Sequence, residues 1–140
     1  MVSFKNKSAF TLIELLIVVI IVAVLAGVGV PLLRGNVDRA RASEADAGLG
    51  TIRTALRAYL AEHNTYATAT MNNIGLNAND LLGRYFDDSD YSLNGLTGTS
   101  YCIQVNGGQD PDTAPQAADV TGVVRSMNET GTISNTACPS

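Results

Sequence analysis

The sequence predicts an α+β protein, a long N-terminal helix packed on a small antiparallel sheet of three or four strands. Three observations lead there. Residues 10–33 form an apolar run, residues 34–63 continue with apolar side chains at helical spacing, and β-rich segments separated by Gly and Asn turns begin at Tyr91. The implied organisation is a short leader over 1–9, a membrane-length helix over 10–33, an amphipathic helix over 34–63, and a connector, sheet and C-terminal region over 64–140.

The run FTLIELLIVVIIVAVLAGVGVPLL has 24 residues, and about 20 helical residues cross a bilayer core. It carries a single acid, Glu14. An ionised group in hydrocarbon is costly and normally has a partner or faces a water-filled cavity. Lys5 and Lys7 precede the run and Arg34 follows it, so the partner is expected from another molecule or from a newly made chain terminus.

The preceding segment, MVSFKNKSA, carries two lysines and no acid and ends in the small residue Ala9. In a secretory signal the cut follows the apolar segment. Here the small residue precedes it, so cleavage would leave the apolar helix on the mature chain. A basic leader, a small residue and then Phe10-Thr11-Leu12-Ile13-Glu14-Leu15 resembles the class III signal of type IV pilins and type II secretion pseudopilins. The resemblance implies cleavage by a prepilin peptidase between Ala9 and Phe10, N-methylation of Phe10, and pairing of Glu14 with the terminal amine of a neighbouring subunit. The family has Gly where this chain has Ala9.

Pro31 lacks an amide donor and crowds the carbonyl of Gly27. Gly27 and Gly29 each weaken a helix by about 1 kcal/mol relative to Ala. The stretch Gly27–Gly35 is therefore a predicted kink or melting point, and the resemblance implies that the helix unwinds there during filament assembly.

From Arg34 to His63, the apolar residues Ala45, Leu49, Ile52, Leu56, Tyr59 and Leu60 recur at the spacing of one helical face. Asp38, Arg39, Glu44, Asp46, Arg53 and Arg57 are assigned to the opposite face. Gly48 and Gly50 interrupt the helix for close packing or for flexibility, and the sequence leaves both open. His63 suits a helix end, beside its free carbonyls.

After Asn64, small and polar residues mark a connector, with a short turn at Asn79–Leu82 and Tyr85-Phe86 as its anchor on the core. Strands are predicted over 91–96, 99–105 and 120–127, with a weaker one over 130–134. Asn94-Gly95 and Gly98 suggest a tight first connection. Leu49, Ile52, Leu56, Ile103, Val105, Val123 and Val124 are the expected core. Residues 109–119, with Asp110-Pro111-Asp112 and Pro115, read as an exposed acidic loop. Neither this loop nor Asp87-Asp88-Ser89-Asp90 has EF-hand spacing, so no metal site is expected. Asn128-Glu129-Thr130 matches the minimal glycosylation triplet.

The formal charge is −4 and becomes −6 when Lys5 and Lys7 leave with the leader. Such a head offers no broad basic face for nucleic acid. The basic leader holds the start of the chain in the cytoplasm, placing the head where disulfides persist. Cys102 and Cys138 are expected to pair there, the alternative being two buried thiols. Pairs enclosing the C-terminal region are common in type IVa pilins and unusual in pseudopilins, so the resemblance leans toward a pilin.

No P-loop, zinc cluster, nucleophile elbow or acid–base pair is recognisable, so neither an enzyme nor a cofactor is expected. The leading expectation is a structural subunit that waits in the inner membrane and then polymerises into a type IV pilus at the cell surface. Its implied partners are identical or related subunits, the prepilin peptidase, and an inner-membrane assembly platform with its ATPases. A pseudopilin or minor pilin of a secretion or competence system is the alternative. A membrane-tethered enzyme or receptor is more remote, since a plain tether needs neither Glu14 nor the leader junction.

Overall fold

A computed structural model describes residues 10–107, 120 and 122–139. The leader and the acidic loop over 109–119 lie outside these residues. Helix α1 runs over Leu12–His63, and the chain divides into two compact units, Met1–Asp38 and Arg39–Ser140.

In the first unit α1 passes Gly27, Gly29 and Pro31 without a break in its assignment. The side chains from Leu12 to Leu25 are exposed, and nothing lies within 4 Å of where a Cβ would stand on Gly27 or Gly29. The weakness predicted for Gly27–Gly35 is thus not a break in this state. Unwinding remains an expectation for the assembled one.

In the second unit, Ala45, Leu49, Ile52, Leu56 and Tyr59 are buried and Leu60 is partly buried, as their spacing requires. The helix ends where Asn64 turns left-handed at φ 56°, its amide still donating to the Leu60 carbonyl at 2.7 Å. The His63 ring stacks on Tyr59 with centroids 4.0 Å apart, and its Nδ1 lies 3.2 Å from the Tyr59 carbonyl. A carbonyl can only accept, so Nδ1 carries the proton when this bond forms.

The sheet is β1 (Tyr91–Asn94), β2 (Cys102–Asn106), β3 (Val124–Asn128) and β4 (Ile133–Ser134), antiparallel and in sequence order. Leu93, Ile103, Met127 and Ile133 form one cross-strand row, and Tyr91, Val105 and Arg125 the next. Ile103 and Val105 are buried while Cys102, Gln104 and Asn106 are less so, the period of a strand with one core face.

Three sequence expectations are corrected here. The β1–β2 connection is the seven-residue stretch 95–101 rather than a tight turn. Its fold is local: the Thr97 amide donates to the Ser100 carbonyl, and the Ser100 amide donates to Thr97 Oγ1. The third strand starts at Val124, not at residue 120. Gly122 adopts φ +83°, which resets the alternation, and the Val123 amide donates back to the Val120 carbonyl at 2.8 Å. As a result Val120 and Met127 enter the core, whereas Val123 and Val124 are only partly buried.

The third correction concerns the polar face of α1. Glu44, Asp46 and Arg53 are half-buried. Glu44 Oε1 accepts from the backbone amides of Tyr85 at 2.7 Å and Phe86 at 2.9 Å, fastening the connector to the helix. Asp46 receives Arg125 bidentately, at 2.6 Å from Nε and 2.8 Å from Nη2. These charges flank the apolar stripe and clip the helix to connector and sheet.

The two helix glycines separate cleanly. A Cβ on Gly48 would collide with the Tyr91 hydroxyl and ring, whereas one on Gly50 would meet nothing within 4 Å. Tyr91 is buried and cannot swing into solvent. Overpacking costs roughly 1–3 kcal/mol, and Gly→Ala in a helix returns about 1 kcal/mol. Chemical denaturation is therefore expected to show Gly48→Ala less stable by about 1–2 kcal/mol and Gly50→Ala more stable by about 0.5–1 kcal/mol. Equal shifts of one sign would remove the close-packing assignment.

Burial, followed by the negative charge of Glu44, raises the Tyr91 phenol well above its ordinary value. Its folded pKa exceeds its unfolded one, so the contribution to stability is complete below about pH 10 and declines above it. Alkaline unfolding is expected to begin in that window and to move to higher pH in Tyr91→Phe, with phenolate absorbance as the readout. An unchanged alkaline limit in the variant would count against this assignment.

Candidate functional site

The site predicted from the sequence begins at the junction before Phe10. Ala9 lies outside the described residues. Phe10 and Glu14 are exposed, as is the apolar surface that follows them. Among the described residues this helix contains a segment long and apolar enough to cross a membrane, none of it covered within the chain.

Glu14 is engaged locally. Its Oε2 accepts from the Thr11 backbone amide at 2.9 Å and from Thr11 Oγ1 at 2.8 Å, while the Glu14 amide donates to Thr11 Oγ1 at 3.3 Å. This is a reciprocal capping box, in which two otherwise orphaned amides of the first helical turn are satisfied. The partner of Glu14 within the chain is therefore the neutral Thr11 and not a base. The signal was present as Thr-x-x-Glu directly ahead of an apolar run.

These hydrogen bonds orient the carboxylate but leave its charge uncompensated. Thr11 is neutral, and no ion pair to Glu14 is present among the described residues. A helix N-terminus favours an anion, so the box holds Glu14 in place at no electrostatic conflict. In hydrocarbon a cation is still required to offset the charge.

A family model described as the prokaryotic N-terminal methylation motif matches residues 4–30. The start of the chain thus carries this methylation motif, and the motif includes Phe10 and Glu14. It is also similar to the type II secretion system core protein G of Aeromonas hydrophila, with 34% identity over 64 residues, 46% of this chain and 45% of that protein. The match thus spans less than half of the curated relative. The long helix on a four-stranded antiparallel sheet is the architecture of a pilin fold.

At the other end of this pilin-like chain, Cys102 and Cys138 form a disulfide with Cα atoms 5.9 Å apart. The C-terminal segment is further held by the Cys138 amide donating to Gln104 Oε1 at 2.9 Å and by Arg125 Nη1 donating to Asn135 Oδ1 at 2.6 Å. Gln104 and Ser126 are cross-strand partners, one position out of step with the buried Ile103 and Val105, and Ser126 is buried. Asn128 is built into the β3–β4 turn, its Oδ1 accepting from the Thr130 hydroxyl and the Thr132 amide. Among the described residues no group of three or more His, Cys, Asp or Glu is placed to hold a metal.

Proposed function

We propose that the processed chain is a structural subunit that polymerises through its N-terminal helix into a type IV pilus filament, most like a type IVa major pilin. The observation that carries the reading is Glu14: a carboxylate held by Thr11 at the start of an uncovered apolar helix, five positions along from the predicted cut. The N-terminal methylation motif and the partial similarity to a secretion core protein support assembly with related subunits and anchoring of the apolar helix in the membrane beforehand.

In this reading the prepilin peptidase cuts between Ala9 and Phe10 and methylates the new amine. The subunit waits in the inner membrane until the assembly platform and its ATPases pass it to the growing filament. Helix packing then covers the apolar surface, and Glu14 pairs with the Phe10 amine of a neighbour. A desolvated charge pair is weak as a source of stability but strongly penalises misregistered neighbours. Gly27, Gly29 and Pro31 mark where the helix would unwind. No catalytic step and no cofactor are assigned to the chain.

A pseudopilin or minor pilin is the second reading, favoured by the similarity to a type II secretion core protein. The disulfide favours the first. The readings differ in abundance. A major pilin is the dominant band of sheared surface fibres, whereas a pseudopilin is absent from them and remains with the cell envelope.

A further inference from the structure

The sequence contains two Asn-Gly pairs, Asn94-Gly95 and Asn106-Gly107. An asparagine can lose its side-chain amide without any enzyme when the next backbone nitrogen attacks its Cγ, and a following glycine, having no Cβ, leaves that nitrogen open to approach. The two pairs are alike in sequence. The fold gives them opposite surroundings.

Asn106 ends β2 and is paired with Val124. Gly107 is buried, and its amide donates to the Val123 carbonyl at 2.9 Å. The residue is also crowded, since a Cβ there would lie 2.6 Å from the Val120 carbonyl oxygen and 3.0 Å from the Phe86 ring. A nitrogen so held neither yields its proton to solvent nor turns toward Cγ until the strand opens.

Asn94 ends β1, where the chain leaves the sheet for the 95–101 connection. Gly95 is exposed, with φ +56° and nothing within 4 Å of where a Cβ would stand. Among the described residues no hydrogen bond takes its amide. The Asn94 side chain is tied by one exposed hydrogen bond, Nδ2 donating to Ser92 Oγ at 3.2 Å. Gly95 also lines an open cleft with Ser100, Ser126 and Thr136, so solvent reaches the peptide.

We propose that Asn94 is a self-modifying site, in which the Gly95 nitrogen gives its proton to solvent hydroxide and attacks Asn94 Cγ. The N–Cγ bond forms and the Cγ–Nδ2 bond breaks, and the side-chain nitrogen takes a proton from water and leaves as ammonia. Water then opens the cyclic imide. Addition at Cγ breaks the new bond and yields aspartate, whereas addition at the main-chain carbonyl breaks the original peptide bond and yields isoaspartate, with an extra methylene in the backbone. Both products add a negative charge, taking the chain without its leader from −6 to −7. Isoaspartate also lengthens the backbone where β1 leaves its pairing with Cys102. The site belongs to the head and stands independently of the filament reading.

The test incubates the full chain in neutral-detergent micelles at mildly alkaline pH, folded and in guanidinium chloride, and follows both asparagines by peptide mass mapping with an isoaspartate assay. In the folded chain, position 94 is expected to accumulate aspartate and isoaspartate while position 106 converts at least about tenfold more slowly, the factor set by one hydrogen bond that must first break. In guanidinium chloride the two rates are expected to converge. Asn94→Gln, whose longer side chain must close a larger ring, is expected to remove most of the ammonia released by the folded chain. Equal rates at the two positions in the folded chain, or no conversion at position 94, would overturn the site. Aspartate without isoaspartate would overturn attack by the Gly95 nitrogen, and a rate difference that persists in guanidinium chloride would overturn the fold as its cause.

Discussion

Glu14→Gln is expected to leave membrane insertion intact while lowering incorporation into fibres by roughly tenfold or more. The substitution keeps the size of the side chain and an oxygen that can still accept from Thr11, so the capping box survives in outline. It removes the charge. If Glu14 served only to start the helix, Gln would substitute well, because a capping box accepts either residue. If it compensates a neighbour's amine inside the filament, Gln leaves that amine unpaired in an apolar bundle. Thr11→Ala separates the roles further: it removes the side-chain half of the cap and retains the charge, so its effect on assembly is expected to be the milder. Membrane fractionation and immunoblotting of sheared fibres read both quantities. Normal fibre yield in Glu14→Gln would remove the charge pair from the mechanism.

Loss of the Cys102–Cys138 disulfide is expected to cost the head about 4 kcal/mol, the chain-entropy value for a loop of this size. The bridge joins residues separated by 36 positions and encloses β3 and β4, the last two strands. Two polar contacts, Cys138 to Gln104 and Arg125 to Asn135, hold the same segment but are individually worth far less. Urea unfolding of the detergent-solubilised mature chain, oxidised and reduced, measures the difference. A reduced chain unfolding at the same midpoint would show that the segment is held without its covalent tie.

Much of the head was legible because its helix has a single packing face. Ala45, Leu49, Ile52 and Leu56 repeat at helical spacing and are all fully buried, since nothing interrupts the helix between them. The third strand was less legible because alternation carries no information across a left-handed glycine. Gly122 resets the phase, so Val120 and Met127 replace Val123 and Val124 in the core. The Asp46–Arg125 pair was hidden for another reason. Its partners lie 79 residues apart, and only the register that sets Arg125 beside Val105 and Tyr91 brings it to α1.

At the candidate site, Glu14 declared itself by cost alone, as an acid in an apolar run. Thr11 carried no comparable cost and was passed over, although its spacing from Glu14 is that of a capping box.

The central claim is that this chain becomes a polymer subunit only after losing its leader, which frees the amine that Glu14 needs. The most direct measurement is N-terminal analysis of the protein recovered from purified surface fibres. The account predicts a chain beginning at N-methylated Phe10. Fibres containing a chain that still begins at Met1 would contradict it.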